Sequence, residues 1–330
     1  MKDLKALLEH HYNARNTDFE LSLDKPDPLF ALKKAMDEKC EFIDEIAVLC
    51  ALLAYGNATQ ILKTLLKLDF RILGDREAIL RCEFPYYRFQ TSKDMKIIFL
   101  AMSEIIERGG IRRVFVDAYK GAESSVESNA ESVAESSVIC GINAMIDALD
   151  SAVIASQNLL QNLQNPLKIS QNPLQNPHRI SQNPPQNPLQ NPHKISQNPH
   201  RISQNPPQNP LKTSQNPPIL SKGLRFLIGR KVRNLRTSSP LKRWNLLLRW
   251  MVRKDNIDLG LWSGSVATKD LILPLDTHTF RLSQTLGLLG RKSYDLRSAI
   301  EITANLATFC ESDPVKYDFA LYRMGQEGIL

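Results

Sequence analysis

Residues 156–218 are expected to lie outside any packed helix or sheet. Ile-Ser-Gln-Asn-Pro begins at Ile169, Ile180, Ile195 and Ile202, with a variant beginning at Thr213. The separations of 11, 15, 7 and 11 residues each equal 7 plus a multiple of 4, and Gln-Asn-Pro-x is itself a four-residue unit. Prolines this frequent remove backbone donors and fix φ, which excludes regular structure. The units also carry too little apolar surface to offset the entropy of ordering them. A stacked solenoid is the repeat alternative, but the unequal periods and the prolines argue against it. The tract is expected to be a disordered insertion grown by repeat expansion. The fold then has to come from residues 1–150 and 219–330. Joining them through a long loop is tolerable, because closure entropy grows slowly with length.

Both flanking parts read as helical. Phe42, Ile43, Ile46, Val48, Leu49, Leu52 and Leu53 make residues 42–55 apolar almost all round, the mark of a buried helix. Gly56-Asn57 punctuates it, and Ile61, Leu62, Leu65, Leu66 and Leu68 predict a second helix. Met95, Ile97, Ile98, Leu100, Ile105 and Ile106 predict another over 94–107. Few segments alternate with period two, so the expected fold class is all-α. Residues 122–137 repeat Ala-Glu-Ser with variations and read as a mobile insertion or a solvated helix within the N-terminal part.

Charge is unevenly divided. Residues 1–150 carry 19 basic and 25 acidic side chains, residues 151–254 carry 16 basic and none acidic, and residues 255–330 carry 7 basic and 10 acidic. Eleven of the basic ones fall within 222–254. Such a block favours a polyanionic partner; the alternative is a solvated face. The five cysteines, at 40, 50, 82, 140 and 310, have no short metal or redox spacing, so neither a metal site nor a cofactor is expected. Cys50 reads as a small core residue. No secretory leader is expected from Met1-Lys2-Asp3, and no apolar run is expected to reach the ~18 residues of a membrane span. These features predict a reduced, soluble, cytoplasmic protein, expected to be a monomer.

The pattern with most chemical content is Leu271-Ile272-Leu273-Pro274-Leu275-Asp276-Thr277-His278-Thr279, which delivers one aspartate to the start of an amphipathic helix. Pro274, Leu275, Asp276, Thr277 and His278, followed by Leu286-Gly287-Leu288, resemble the helix-hairpin-helix DNA glycosylase superfamily, in its endonuclease III and adenine glycosylase branch. A longer string runs from Lys242-Arg243-Trp244 through Arg249-Trp250-Met251-Val252-Arg253-Lys254-Asp255 to Pro274–Thr279 and Asp313-Pro314-Val315-Lys316-Tyr317-Asp318-Phe319-Ala320-Leu321. By this string the chain is identified as a member of a bacterial family of unestablished function, with the glycosylases one step more distant. The closer match covers about 222–330 and a weaker one about 40–120. The superfamily resemblance implies a bilobal all-α fold with a cleft. It also implies an essential carboxylate at Asp276; many endonuclease III relatives carry an iron–sulfur cluster near the C-terminus, but with only Cys310 there none is expected here.

Ser239 reads as an N-cap and Pro240 as the first residue of a helix running from Leu241 to about Arg253. At 100° per residue, Lys242, Asn245, Arg249 and Arg253 share one face of it, and Leu241, Trp244, Leu247, Leu248 and Met251 make the apolar side. The positive end of a helix and neighbouring cations favour the neutral amine that attack on a sugar carbon requires; a phosphate-contacting or solvated lysine is the alternative. In bifunctional glycosylases a lysine ahead of the aspartate forms a Schiff base with the deoxyribose. The endonuclease III branch carries it in a Gly-Val-Gly hairpin that this chain lacks. The archaeal 8-oxoguanine glycosylases place it at the opening of an apolar helix, which Lys242, 34 residues before Asp276, resembles. The resemblance thus nominates Lys242 and Asp276 as catalytic. Arg243, Arg249, Arg253 and Lys254 are expected on phosphates. Asp276 reads equally as an N-cap, and His278 as a proton shuttle or a helix-surface residue. Tyr55, Gly56 and Asn57 resemble the superfamily's turn that fills the gap left by an extruded base; a plain turn is the alternative. Tyr86, Tyr87, Arg88, Phe89 and Gln90 are placed to stack on a base or to form a core cluster. The expected function is a DNA glycosylase and abasic-site lyase acting on duplex DNA. The alternatives are a non-catalytic nucleic-acid-binding module of the same fold and a helical interaction protein.

Overall fold

The apolar stretch after residue 42 becomes the most enclosed helix of the protein. Helix α3 (Ile43–Leu52) is buried on every residue from Glu45 to Leu52, as an all-round apolar helix must be. The chain enters it through Phe42 in the left-handed conformation, φ 57°. The Phe42 ring occupies the space beside Gly74, where a Cβ would stand only 2.7 Å from it. The structure is a computed structural model and describes residues 2–126, 136–164 and 220–328.

Before α3 come α1 (Lys2–Arg15) and α2 (Pro28–Asp37), and after it α4 (Ala58–Leu65), α5 (Arg76–Arg81), α6 (Ser92–Glu107), α7 (Ile111–Val126) and α8 (Ser137–Gln164). Beyond the tract lie α9 (Lys222–Ile228), α10 (Lys242–Val252), α11 (Thr277–Thr285), α12 (Leu296–Ala307) and α13 (Asp318–Glu327). Among the described residues there is no strand, only three isolated bridges. The fold is all-α, as the periodicity predicts. Polar caps set the boundaries: Asp27, Asn57, Asp75 and Asp295 each accept a backbone N–H at a helix start. Thr91 and Asp94 form a reciprocal capping box on α6.

The parts before and after the tract interleave. Helix α3 packs on α10, α6 on α9, α1 on α13, and α13 on α11. Residues Met1–Asn158 and Leu220–Leu330 make one compact unit; Leu159–Ile219 make a second, mostly outside the described residues.

Two expectations from the sequence are corrected, and the described part of the Ala-Glu-Ser segment takes its helical alternative. Helix α8 runs through Gln164, so residues 156–164 are helical rather than part of the repeat tract. Their Gln-Asn-Leu composition is compatible with a helix until Pro166. The rest of the tract, to residue 219, lies outside the described residues. Helix α7 carries residues 122–126 of the Ala-Glu-Ser segment, and residues 127–135 also lie outside them. Finally, Ser137–Leu163 is long and apolar enough, by length and composition, to cross a membrane, which corrects the expectation that no run reaches that length. Half of its most apolar window is buried inside the protein: Ile139, Ile142, Met145, Ile146 and Leu149 enter the core. Gly141 leaves room for the Phe115 ring of α7, since a Cβ there would overlap that ring.

Candidate active site

Two helix starts meet at one place. Leu241 takes a left-handed conformation, φ 54°, so α10 begins at Lys242. The predicted cap at Ser239 and Pro240 is therefore displaced. Leu241 itself makes no side-chain cap, while the buried Asn245 amide donates back to the Pro240 carbonyl at 3.0 Å. The buried run Leu271–Leu275 delivers Asp276 to the N-cap of α11. Its Oδ1 accepts the Thr279 N–H at 2.8 Å, and its Oδ2 lies 3.8 Å from Lys242 Nζ. The two oxygens thus have separate tasks, one capping the helix and one facing the lysine. The aspartate side chain is 13% exposed and the lysine side chain 33%, so the amine keeps access to a large substrate.

Two tyrosines that the sequence does not single out stand around Asp276. Tyr294 donates its hydroxyl to the Leu275 carbonyl at 2.8 Å, and burial together with the Asp276 charge pushes its hydroxyl up to about 12. Burial and the charges of Asp27 and Asp276 do the same for Tyr322, also to about 12. Both stay protonated near the carboxylate, and the Tyr322 hydroxyl accepts the Gln326 side-chain N–H at 3.0 Å. Neither spacing nor local pattern marks them; only the packing of α11 and α13 brings Tyr322 into this neighbourhood.

The remainder of the basic stripe has a different fate. Arg249 and Arg253 are each 3% exposed. Arg249 Nε donates to Asp258 Oδ1 at 3.1 Å and its Nη1 to Asp318 Oδ2 at 2.6 Å. Arg253 donates to Asp313 at 2.9 Å, to Asp255 at 3.0 Å and to Asp258. Burial opposes the charge, but the surrounding carboxylates raise both guanidinium values. Four aspartates face two arginines, and the imbalance is borne by the most enclosed acids. Burial pushes the Asp258 carboxyl up, and pushes Asp318 up to about 6 despite Arg249. Burial works against ionisation of Asp255 too, but Arg253 and the N–H groups of Asp258 and Ile257 hold its carboxyl below the usual range. The expectation that Arg249 and Arg253 hold phosphates is corrected: neither can reach solvent or a polyanion.

Arg243 turns the other way. Its guanidinium donates to the Leu52 carbonyl at 2.6 Å and the Phe226 carbonyl at 2.5 Å, and lies over the Tyr55 and Phe226 rings at 5.4 and 5.1 Å. Burial lowers it to about 10, which leaves it charged at neutral pH. The turn residues Tyr55, Gly56 and Asn57 therefore lie beside the start of α10. Gly56, φ +102°, has the Arg88 guanidinium where a Cβ would be, 2.6 Å away. Asn57 caps α4 by accepting the Gln60 N–H. Lys254 and His278 are exposed; the His278 backbone packs against Gly325 of α13, where a Cβ would come within 3.1–3.3 Å of it. Of the nominated residues, the structure brings Lys242 to Asp276 and Arg243 to Tyr55.

Neither of two cavities of about 560 Å³ is lined by the pair. One is bounded by Asp44, Glu45, Gly110, Arg112 and Ser265, the other by Ile139, Val232, Ile272, Ile300 and Ala304. The first has a polar wall already occupied internally: Glu45 accepts the Ile111 N–H at 2.8 Å and Asp44 the Trp262 indole N–H at 2.7 Å. None of the five cysteines is in a disulfide, and Cys50 is fully buried. Among the described residues no three His, Cys, Asp or Glu side chains are grouped to hold a metal ion.

No curated protein and no solved structure matches the chain. The model of a family described as "Protein of unknown function (DUF2400)" matches residues 27–171 and 208–327, a span that includes Lys242, Asp276 and the buried ion network. The chain belongs to this family.

Proposed function

We propose that this member of the family binds DNA and removes a damaged base, with Lys242 as nucleophile and Asp276 as the stabilising carboxylate. The observation that carries the reading is the Nζ of a lysine with a partly exposed side chain, Lys242, 3.8 Å from Asp276 Oδ2 at the N-terminal ends of two helices. The neutral amine attacks the anomeric carbon of the deoxyribose. The C–N bond to the base breaks and the base leaves with that electron pair, taking up a proton. Ring opening then gives the iminium. Asp276 Oδ2 offers its charge where positive charge develops on the sugar. A separation of 3.8 Å is longer than a hydrogen bond, as is common before substrate tightens a site.

With Arg249 and Arg253 buried, phosphate contacts pass to the exposed Lys222, Arg230, Arg233 and Arg236 ahead of α10 and to Lys254 after it. His278, exposed beside Asp276, is in place to move a proton. Cysteines outside any disulfide fit a reducing compartment, and in this reading the protein works in the cytoplasm as a monomer, with no cofactor.

The test is borohydride trapping across a panel of lesion-bearing duplexes. Wild type should yield a covalent adduct with at least one of them. Lys242→Gln should abolish it while duplex binding persists. Asp276→Asn should slow turnover by a factor on the order of 10² or more at little cost in stability, because Asn also caps helices. If wild type traps nothing yet still binds duplex, a non-catalytic module of the same fold is what remains; no salt-dependent binding at all would leave a helical interaction protein.

A further inference from the structure

The aromatic side chains beside Arg243 form a surface that the proposed chemistry does not use. Phe89 is 54% exposed and Phe226 42% exposed, and their ring centroids are 4.7 Å apart. Tyr55 joins them, 4.8 Å from Phe226 and nearly parallel to Phe89 at 6.1 Å. Two guanidiniums border the three rings: Arg88 at 5.7 Å from the Tyr55 centroid and 5.8 Å from that of Phe89, and Arg243 over Tyr55 and Phe226.

Exposed aromatics are often incidental, but this group is held in place from beneath. Tyr87 and Gln90 are buried. The Tyr87 hydroxyl donates to the Tyr55 carbonyl at 2.5 Å. The Gln90 side chain accepts the Tyr55 hydroxyl and donates to the Gly223 carbonyl at 2.9 Å. Helix α9, which carries Phe226, is fixed by its cap: Ser221 donates to Asp94 at 2.6 Å and accepts the Leu224 N–H at 3.0 Å. Gly223 permits the approach, since a Cβ there would overlap the Phe89 carbonyl. Arg88 adopts φ 50°, a conformation costly for a side chain of its size, and the Tyr86 hydroxyl donates to its carbonyl. A rigid apolar face bordered by two cations, adjoining the proposed nucleophile in sequence, is more than a solvated surface requires.

We infer that Tyr55, Phe89 and Phe226, with Arg88 and Arg243, form a stacking face for unpaired nucleobases, so that the DNA recognised has single-stranded character. Flat rings accept any base without reading its edges, and guanidiniums at the border suit both the π-face and the phosphate. A fully paired duplex presents no free base face to such a surface. The inference rests on the DNA-binding part of the function proposed above, but not on its chemistry.

The experiment is fluorescence-anisotropy titration of the full chain with three labelled probes of equal length: a mixed-sequence single strand, a single strand of abasic sites, and a paired duplex. The mixed strand is expected to bind at least about tenfold tighter than the abasic strand, which has the same backbone charge but nothing to stack. Phe89→Ala and Phe226→Ala should each weaken mixed-strand binding by on the order of tenfold, the lower part of the range for one stacked base, and leave abasic-strand binding within about twofold. Phe226→Tyr, which keeps the ring, should bind as wild type does and serves if an alanine variant unfolds early. Equal affinity for mixed and abasic strands overturns the inference, as does the absence of binding to any probe. If the base preference is found and Lys242 yields no adduct on any lesion, only the chemistry fails. If an adduct forms without base preference, only the stacking face fails.

Discussion

The two ends of α10 carry the same kind of side chain and do opposite things. Lys242 and Arg243 in the first turn remain in contact with solvent, the one facing a single carboxylate, the other lying on aromatic rings. Arg249 and Arg253, on the same face as Lys242 by helical count, are buried against four aspartates. The difference lies in what the tertiary fold lays over each turn. Asp258 returns over the end of the helix in the loop that follows it, and Asp318 arrives with α13. At the start of the helix, Lys242 meets Asp276 at the N-terminus of α11, an acid partly occupied as a cap. A cation becomes available for chemistry where its partners are too few to saturate it.

The largest expected effect breaks the saturated end. Arg249→Met should destabilise the protein by about 3–5 kcal/mol, because it leaves Asp258 and Asp318 enclosed without their shared counter-ion. In thermal unfolding this is a fall on the order of 10 °C. Lys242→Met, at the open end, should change stability by less than about 1 kcal/mol, as exposed pairs do. Similar losses for both would end the contrast.

A smaller effect concerns pH. An unfolded aspartate titrates near 4, whereas burial lifts Asp318 to about 6 in the folded protein. Between these values the folded state holds a proton that the unfolded state has released. The Asp318 contribution to stability is therefore fully present at low pH, declines as pH rises from about 4 to about 6, and is flat above. Asp318→Asn, which keeps an acceptor for Arg249, should remove that decline from a plot of Tm against pH over 4–7. An unchanged plot would show that the two arginines balance all four acids.

The smallest effect on stability sharpens the comparison from outside. Arg230, Arg233 and Arg236 are exposed, and reversing all three to Glu should leave Tm within about 2 °C, since exposed changes stay near ±0.5 kcal/mol. It should nonetheless weaken DNA binding broadly and reduce its salt slope by about two to three, roughly one for each phosphate no longer held. A salt slope that does not change would remove the pre-α10 loop from the interface.

Helix identity is readable wherever apolar spacing is dense: α3, α4, α6, α10 and α11 all fall where the periodicity places them. Asp276 is readable too, because a buried run ending in Asp-Thr specifies both the entry and the cap. The fates of Arg249 and Arg253 are not, since a 100° count reports which face a side chain shares and is silent on an acid that arrives 69 residues later. Tyr294 and Tyr322 escape for the same reason. Ser239 and Pro240 mislead because a favourable pair of residue types says nothing of the left-handed Leu241 that follows. No helix is read over α8 from the sequence, because Asp147 and Asp150 interrupt its apolar run; they pair with Lys231 and Arg225.

The salt bridge between Arg249 and Asp318 has a consequence for the order of events during synthesis. Helix α10 leaves the ribosome with two guanidiniums destined for burial, and one of their main partners is not made until 69 residues later. At roughly 5–20 residues per second, that is a wait of about 3 to 14 s. Until then α10 cannot settle against its neighbours without enclosing an unpaired charge, and α1, already made, has no α13 to pack on. The nascent chain should therefore expose its apolar helices for seconds and depend on chaperones in that interval, closing in one cooperative step once Asp318 emerges.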